Sequence, residues 1–123
     1  MQRTLFLNPR NKTAIWSDIK AKRDELEVSP ITVTQGIFDA DREALLRIDS
    51  ALSAFELLPT LDSNNKLGWK TYDNQVVMLS KSELQGIRNE IAKRAALIHL
   101  NAEVIRQGSY LVSDLDNLSL WGL

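Results

Sequence analysis

Cysteine is absent from this 123-residue chain, which excludes disulfides, thiolate nucleophiles and thiolate metal ligands. Histidine occurs once, at His99, so no imidazole pair can build a zinc site or relay a proton. No apolar run exceeds four residues, which is far short of a membrane span and leaves Leu5-Phe6-Leu7 too short for a signal-peptide core; synthesis in the cytoplasm and no membrane insertion are expected. Nor does charge of one sign dominate. The net charge is −1, with basic and acidic residues interspersed, so no sustained basic face for nucleic acid is visible. What remains is an ordinary globular composition, 44% hydrophobic and 25% charged, in a length that suits one hydrophobic core.

The most informative stretch runs from Leu67 to Gln107. Leu67-Gly68-Trp69-Lys70-Thr71 and Gln75-Val76-Val77-Met78-Leu79 flank a turn and read as a β-hairpin. A two-residue turn at Asp73-Asn74 pairs Thr71 with Val76 and Trp69 with Met78 on an apolar side, and Lys70 with Val77 and Gly68 with Leu79 on the other. An isolated ribbon is marginal in water, so Trp69 and Met78 need a cover, which the next helix offers. Ser80-Lys81-Ser82-Glu83 has the form of a capping box and predicts that helix's start. Leu84, Ile91, Ile98 and Ile105 recur every seven residues, flanked by Ile87, Ala95 and Ala102. Arg94 and Asn101 interrupt what would be the second seam of a coiled coil. Beyond Lys93 the apolar arc widens to Leu97, Leu100 and Val104, more than one small hairpin can cover, and Gly108 supplies a left-handed helix end.

Upstream, Thr4 to Leu7 reads as a short strand closed by Asn8-Pro9. A helix with Ile15, Trp16, Ile19, Arg23 and Leu26 on one side starts near Thr13 and ends at Ser29-Pro30. Its Lys20, Lys22 and Arg23 lie among Asp18, Asp24, Glu25 and Glu27, the pattern of a solvated face. Ile31 to Thr34 and Ile37-Phe38, joined at Gln35-Gly36, read as a small ribbon. A second helix is predicted from about Asp41 to Leu58, stopped by Pro59, with Ala44, Ala51 and Ala54 allowing close approach by Ala95 and Ala102 of the last helix. The fold class is therefore α+β: about three helices with short strands, including the hairpin near 67–79 that leads into a long C-terminal helix.

Residues 1–108 read as a single α+β domain and 109–123 as an apolar tail. The tail carries Tyr110, Leu111, Val112, Leu115, Leu118, Leu120, Trp121 and Leu123 without a sustained period, and a segment this apolar docks either on its own domain or on a partner. The candidate partner-binding residues are Leu97, Leu100, Val104, Tyr110, Leu111, Leu115, Leu118, Leu120 and Trp121, with Trp121 as anchor. No catalytic, cofactor-binding or metal-ligating set emerges. Asp39, Asp41 and Glu43 start like a calcium loop, but Ala44 stands where that loop needs glycine and Ser50 where it needs its last carboxylate.

The order IKAKRDE, ITV, GIFDADREALLRIDSAL, then GWKTYDNQVVMLSKSEL and a long helix resembles an uncharacterised domain family of tailed bacteriophages and prophages, whose members occur in tail, tail-fibre and tail-fibre-assembly proteins. Its most characteristic pieces are Lys22-Arg23-Asp24, Phe38-Asp39-Ala40-Asp41, and Trp69 to Leu79 followed by Ser82-Glu83-Leu84; residues before Asp18 and after Gly108 lie outside it. The resemblance implies a non-enzymatic structural protein of the virion tail, binding a tail fibre or neighbouring tail subunit as adaptor or decoration, in a homo-oligomer or symmetric assembly. The alternative it implies is a tail-fibre assembly chaperone absent from the mature virion. A cell-wall hydrolase accessory to the tail would need a carboxylate pair in a cleft. The family carries no assigned catalytic residues.

Overall fold

The computed structural model describes residues 11–58 and 62–123, so the strand expected at Thr4 to Leu7 and the helix stop at Pro59 lie outside the described residues. The order is α1 (Trp16–Val28), β1 (Ile31–Val33), β2 (Gly36–Phe38), α2 (Arg42–Ser53), a 3₁₀ turn (Phe55–Leu57), β3 (Leu67–Lys70), β4 (Val76–Leu79), α3 (Lys81–Gln107) and two 3₁₀ turns, Val112–Asp116 and Leu118–Trp121. This is the expected α+β class, with two antiparallel hairpins, β1-β2 and β3-β4. The chain forms two compact units. Among the described residues, one takes those within 27–93; the other takes 11–26 together with 94–123, and so contains the stretch read as a tail.

In the continuous unit, local signals act as their chemistry dictates. Asp41 caps α2 by accepting from the Ala44 amide at 2.8 Å. The helix ends at Ser53, short of the expected Leu58, and tightens into 3₁₀ geometry through Leu57 N–H to Ala54 O at 2.8 Å and Leu58 N–H to Phe55 O at 3.3 Å. Leu58 is extended, as a residue preceding proline must be, so the turn falls one step before the expected stop. The Ser80 hydroxyl accepts from the Glu83 amide (3.1 Å) while the Glu83 carboxylate accepts from the Ser80 amide (2.9 Å), completing the capping box of α3.

The β3-β4 register differs from the expected one by a single residue: Leu67 faces Leu79, Trp69 faces Val77, Gly68 faces Met78 and Lys70 faces Val76. The loop has three residues. Thr71 O accepts from Asn74 N–H, Asn74 alone takes a left-handed φ of 64°, and Thr71 N–H donates to Gln75 O at 2.7 Å. The Thr71 hydroxyl holds this arrangement by donating to the Asp73 carboxylate and accepting from the Gln75 amide. Because side chains alternate along a strand, a slip of one exchanges faces. Leu67 and Leu79 turn inward, Met78 and Val76 turn outward, and Trp69 is half-buried instead of largely buried. Phe38, Ile48, Phe55, Leu67, Leu79, Leu84, Ile87 and Ile91 make this unit's core, with Leu45, Ala51 and Trp69 packed against it. The apolar neighbours of α2 are thus in the first half of α3. Ala102, expected beside the α2 alanines, is in the other core.

That second core joins Ile19 and Leu26 of α1 to Ile98, Ala102 and Ile105 of α3 and to Leu115 and Trp121. Residues 12–14 run antiparallel to 110–112: Ala14 N–H donates to Tyr110 O at 2.8 Å and Val112 N–H to Lys12 O at 2.9 Å. On α1, Lys22 pairs with Glu25 (3.3 Å) and with Asp116 (3.2 Å), and Trp16 lies 4.5 Å from the Arg106 guanidinium and 5.9 Å from that of Arg23. Gly108 follows α3 but is not left-handed among the described positive-φ residues; a Cβ there would come within 2.5 Å of Tyr110 Cε2, so the ring, and not the backbone angle, requires glycine. Gly122 is left-handed, with φ 79°, and closes the last 3₁₀ turn.

Candidate functional site

The nine apolar residues picked out as candidates divide sharply in the fold. Trp121 is 0% exposed and donates its indole N–H to Leu115 O at 2.9 Å, and Leu115 is itself only 3% exposed. Both belong to the interior of the discontinuous unit. Trp121 is therefore an anchor within its own chain and is not presented to a partner, which corrects the expectation set on it. The reason lies partly in Asn101, whose side-chain amide donates to Leu97 O at 2.9 Å and to Trp121 O at 3.0 Å. The polar residue that interrupts the α3 seam is a clamp for the final turn.

Tyr110 and Leu120 are half-buried against the same core, and Leu97 is half-buried near Gly122. Leu111 and Leu118 are exposed. Only Leu100 and Val104 combine high exposure, 63% and 56%, with a shared helical face, being four residues apart on α3. These two, with Leu97 at their edge, are the part of the candidate set that remains available as an apolar strip. His99 is exposed on the same helix. Among the described residues no group of three His, Cys, Asp or Glu is placed to hold a metal ion, and no helix is long and apolar enough to cross a membrane.

The continuous unit holds a second feature, which the sequence did not announce. Tyr72 N–H donates to Ile37 O at 2.8 Å and ties the turn after β3 to β2. A groove of about 370 Å³ results, lined by Asp39 from the β2-α2 link, Arg47 of α2, Trp69 and Lys70 of β3, and Tyr72 and Asn74 of the turn, with Ile48 at its apolar base. Arg47 Nη1 lies 3.9 Å from the Glu43 carboxylate and both side chains are more than half exposed, so that pairing holds the guanidinium weakly. Two other cations of the unit are more closely engaged, Arg88 with Asp49 at 3.0 Å and Lys81 with Glu56 at 2.8 Å, where the lysine holds the Glu56 carboxyl below its ordinary value. These groove residues come from three separated segments and form no spacing motif. Asp39 is visible in the sequence as the start of a calcium loop that fails, and Trp69, Lys70 and Asn74 as parts of a hairpin, but nothing in the spacing joins them to Arg47.

The family model for a domain of unknown function (DUF4376) matches residues 10–114. No curated protein and no solved structure matches the chain.

Proposed function

The chain belongs to the DUF4376 family of unknown function, and we propose that it is a non-enzymatic protein of a bacteriophage tail, an adaptor that binds a tail fibre or a neighbouring tail subunit. Two things support the reading. The residues from Ile19 to Ile105 resemble domains of phage tail and tail-fibre proteins. The observation that carries it on the molecule is the Leu100/Val104 strip, two branched apolar side chains left in water on one face of a long helix, where a small soluble domain ordinarily places charge. Tail assemblies are symmetric, so a copy of the chain or a repeated neighbour would cover the strip at every equivalent position.

The test is a mass-spectrometric inventory of purified particles of the phage or prophage that encodes the chain, made for the natural protein and for a Leu100→Asp/Val104→Asp variant. The protein should be present in particles at a stoichiometry fitting the tail symmetry, and the variant should be depleted. Presence in the infected cell together with absence from particles would replace this reading by the assembly chaperone. Retention of the variant at full stoichiometry would remove the strip from the interface.

A further inference from the structure

The groove beside the β3-β4 turn has a chemistry that the tail-adaptor reading does not use. Its lining brings together an indole, a phenol, two cations, one carboxylate and one carboxamide around about 370 Å³, the size of a small-molecule site. Each group constrains the occupant. Trp69, half-buried, and Tyr72, more than half exposed, bring two aromatic residues to the lining. Among the lining residues Arg47 and Lys70 stand against Asp39 alone, and Glu43, 3.9 Å from Arg47 but 84% exposed to water, offsets the guanidinium only weakly, so the groove favours an occupant with negative charge. Asp39, however, accepts hydrogen bonds and donates none when ionised, and it repels a compact polyanion such as a phosphate dianion. Asp39 accepts and the exposed Asn74 amide both donates and accepts, which suits a ligand that does both. Hydroxyl groups do this, and a pyranose ring joins several of them to an apolar C–H face.

We infer that the groove bounded by Asp39, Arg47, Trp69, Lys70, Tyr72 and Asn74 binds a saccharide bearing a carboxylate, such as a uronic or ulosonic acid. The carboxylate meets Arg47 and Lys70, the hydroxyls meet Asp39 and Asn74, and the C–H face lies on Trp69. Asn74 is fixed for this by the turn itself, because its left-handed backbone and the Thr71 to Asn74 hydrogen bond set where its amide starts. The inference stands independently of which tail subunit, if any, the α3 strip contacts.

The full chain contains three tryptophans, which make the experiment self-controlled. Trp121 is sealed in the other unit's core and Trp16 lies between Arg23 and Arg106, so in a ¹⁵N-labelled protein only the Trp69 indole signal should respond to a groove ligand. The probes are glucuronic acid and N-acetylneuraminic acid, with glucose, N-acetylglucosamine, acetate and inorganic phosphate as comparisons. The sugar acids should shift the Trp69 signal saturably, with affinity about tenfold or more above the neutral sugars, as charge-assisted hydrogen bonds require. Arg47→Gln and Lys70→Gln, both at exposed positions, should abolish that preference, while Asp39→Asn should weaken sugar acids and neutral sugars alike. Unmoved backbone amide signals of Phe38, Leu79 and Leu84, core residues of the same unit, show that the variants keep its fold. A response to acetate or phosphate equal to that to the sugar acids, a preference for neutral sugars, or no saturable shift of the Trp69 signal by either sugar acid would each overturn the inference.

Discussion

The two units reach similar interiors by opposite routes. Residues 27–93 are continuous: each hairpin, α2 and the start of α3 lie next to the elements they cover, and the core residues Phe38, Ile48, Leu79 and Leu84 follow one another along the chain. The other unit brings α1 together with a segment more than sixty residues away in sequence, and it closes only when Trp121 arrives between Ile19, Ile98 and Ile105. Loop closure over that separation costs conformational freedom before any contact forms, so this unit depends more heavily on a few large side chains. Stability should then be unevenly distributed along one 27-residue helix, α3, whose two halves serve different cores.

The largest expected effect breaks the discontinuous unit alone. Trp121→Ala empties a fully buried aromatic site and orphans the Leu115 carbonyl, at a cost of about 3–5 kcal/mol in urea unfolding. Amide exchange should then rise in α1 and in residues 98–105 while β3, β4 and α2 keep their protection. Equal loss in both regions would show that the units do not open separately. Ile48→Ala is the mirror experiment, costing about 2–4 kcal/mol with the exchange pattern reversed.

A smaller effect tests how the last turn is held. Gly122→Ala meets two obstacles, a left-handed backbone and Asn101 Nδ2 only 2.8 Å from the new Cβ, and should lower stability by about 1–2 kcal/mol. Asn101→Ala should weaken the same turn and make the two substitutions less than additive, a coupling that a double-mutant cycle reads directly.

The capping box gives a pH-dependent test in the continuous unit. The Ser80 amide, then the Ser80 hydroxyl, hold the Glu83 carboxyl below its ordinary value, since both stabilise the ionised form. A carboxyl depressed on folding contributes stability at pH above its unfolded value and loses that contribution as the pH falls through its lower folded value. The stability difference between Glu83→Ala and the natural protein should therefore be small in acid and larger near neutrality, and in the natural protein the Glu83 carboxyl carbon should titrate below ordinary glutamates. Replacing Asp41 by alanine, with no such box around it, should cost about 1 kcal/mol. The smallest effect on folding is expected at Leu100→Ser, within about 0.5 kcal/mol because the side chain is mostly in water. Its effect should be on association, seen as a loss of mass by light scattering.

Where the signal was local, it was legible in the chain. Ser80 and Glu83 and Asp41 before α2 act through neighbours within a turn, the seven-residue spacing of Leu84, Ile91, Ile98 and Ile105 marks one face of a helix, and all four of those apolar residues are buried. The β3-β4 register was not legible, because the Thr71 hydroxyl and Asp73 carboxylate favour a three-residue loop over an equally permissible two-residue one, and the β4 side chains exchange faces as a result, Leu79 turning inward and Met78 outward while Trp69 stays on the covered side. The groove was hidden for a different reason: Asp39, Arg47 and Trp69 meet only when Tyr72 bonds across to Ile37.

Periodicity, caps and composition thus determined the helices, the presence of two hairpins, the α+β class and the fact that the final segment needed burial, since each follows from hydrophobic spacing or from backbone groups seeking nearby partners. Tertiary structure decided which core each half of α3 serves, which chain covers Trp121, which face of the second hairpin meets water and which charges share a groove. Those outcomes depend on distant groups competing for the same surface, and the apolar content of a segment fixes how much it gains by burial without specifying against what.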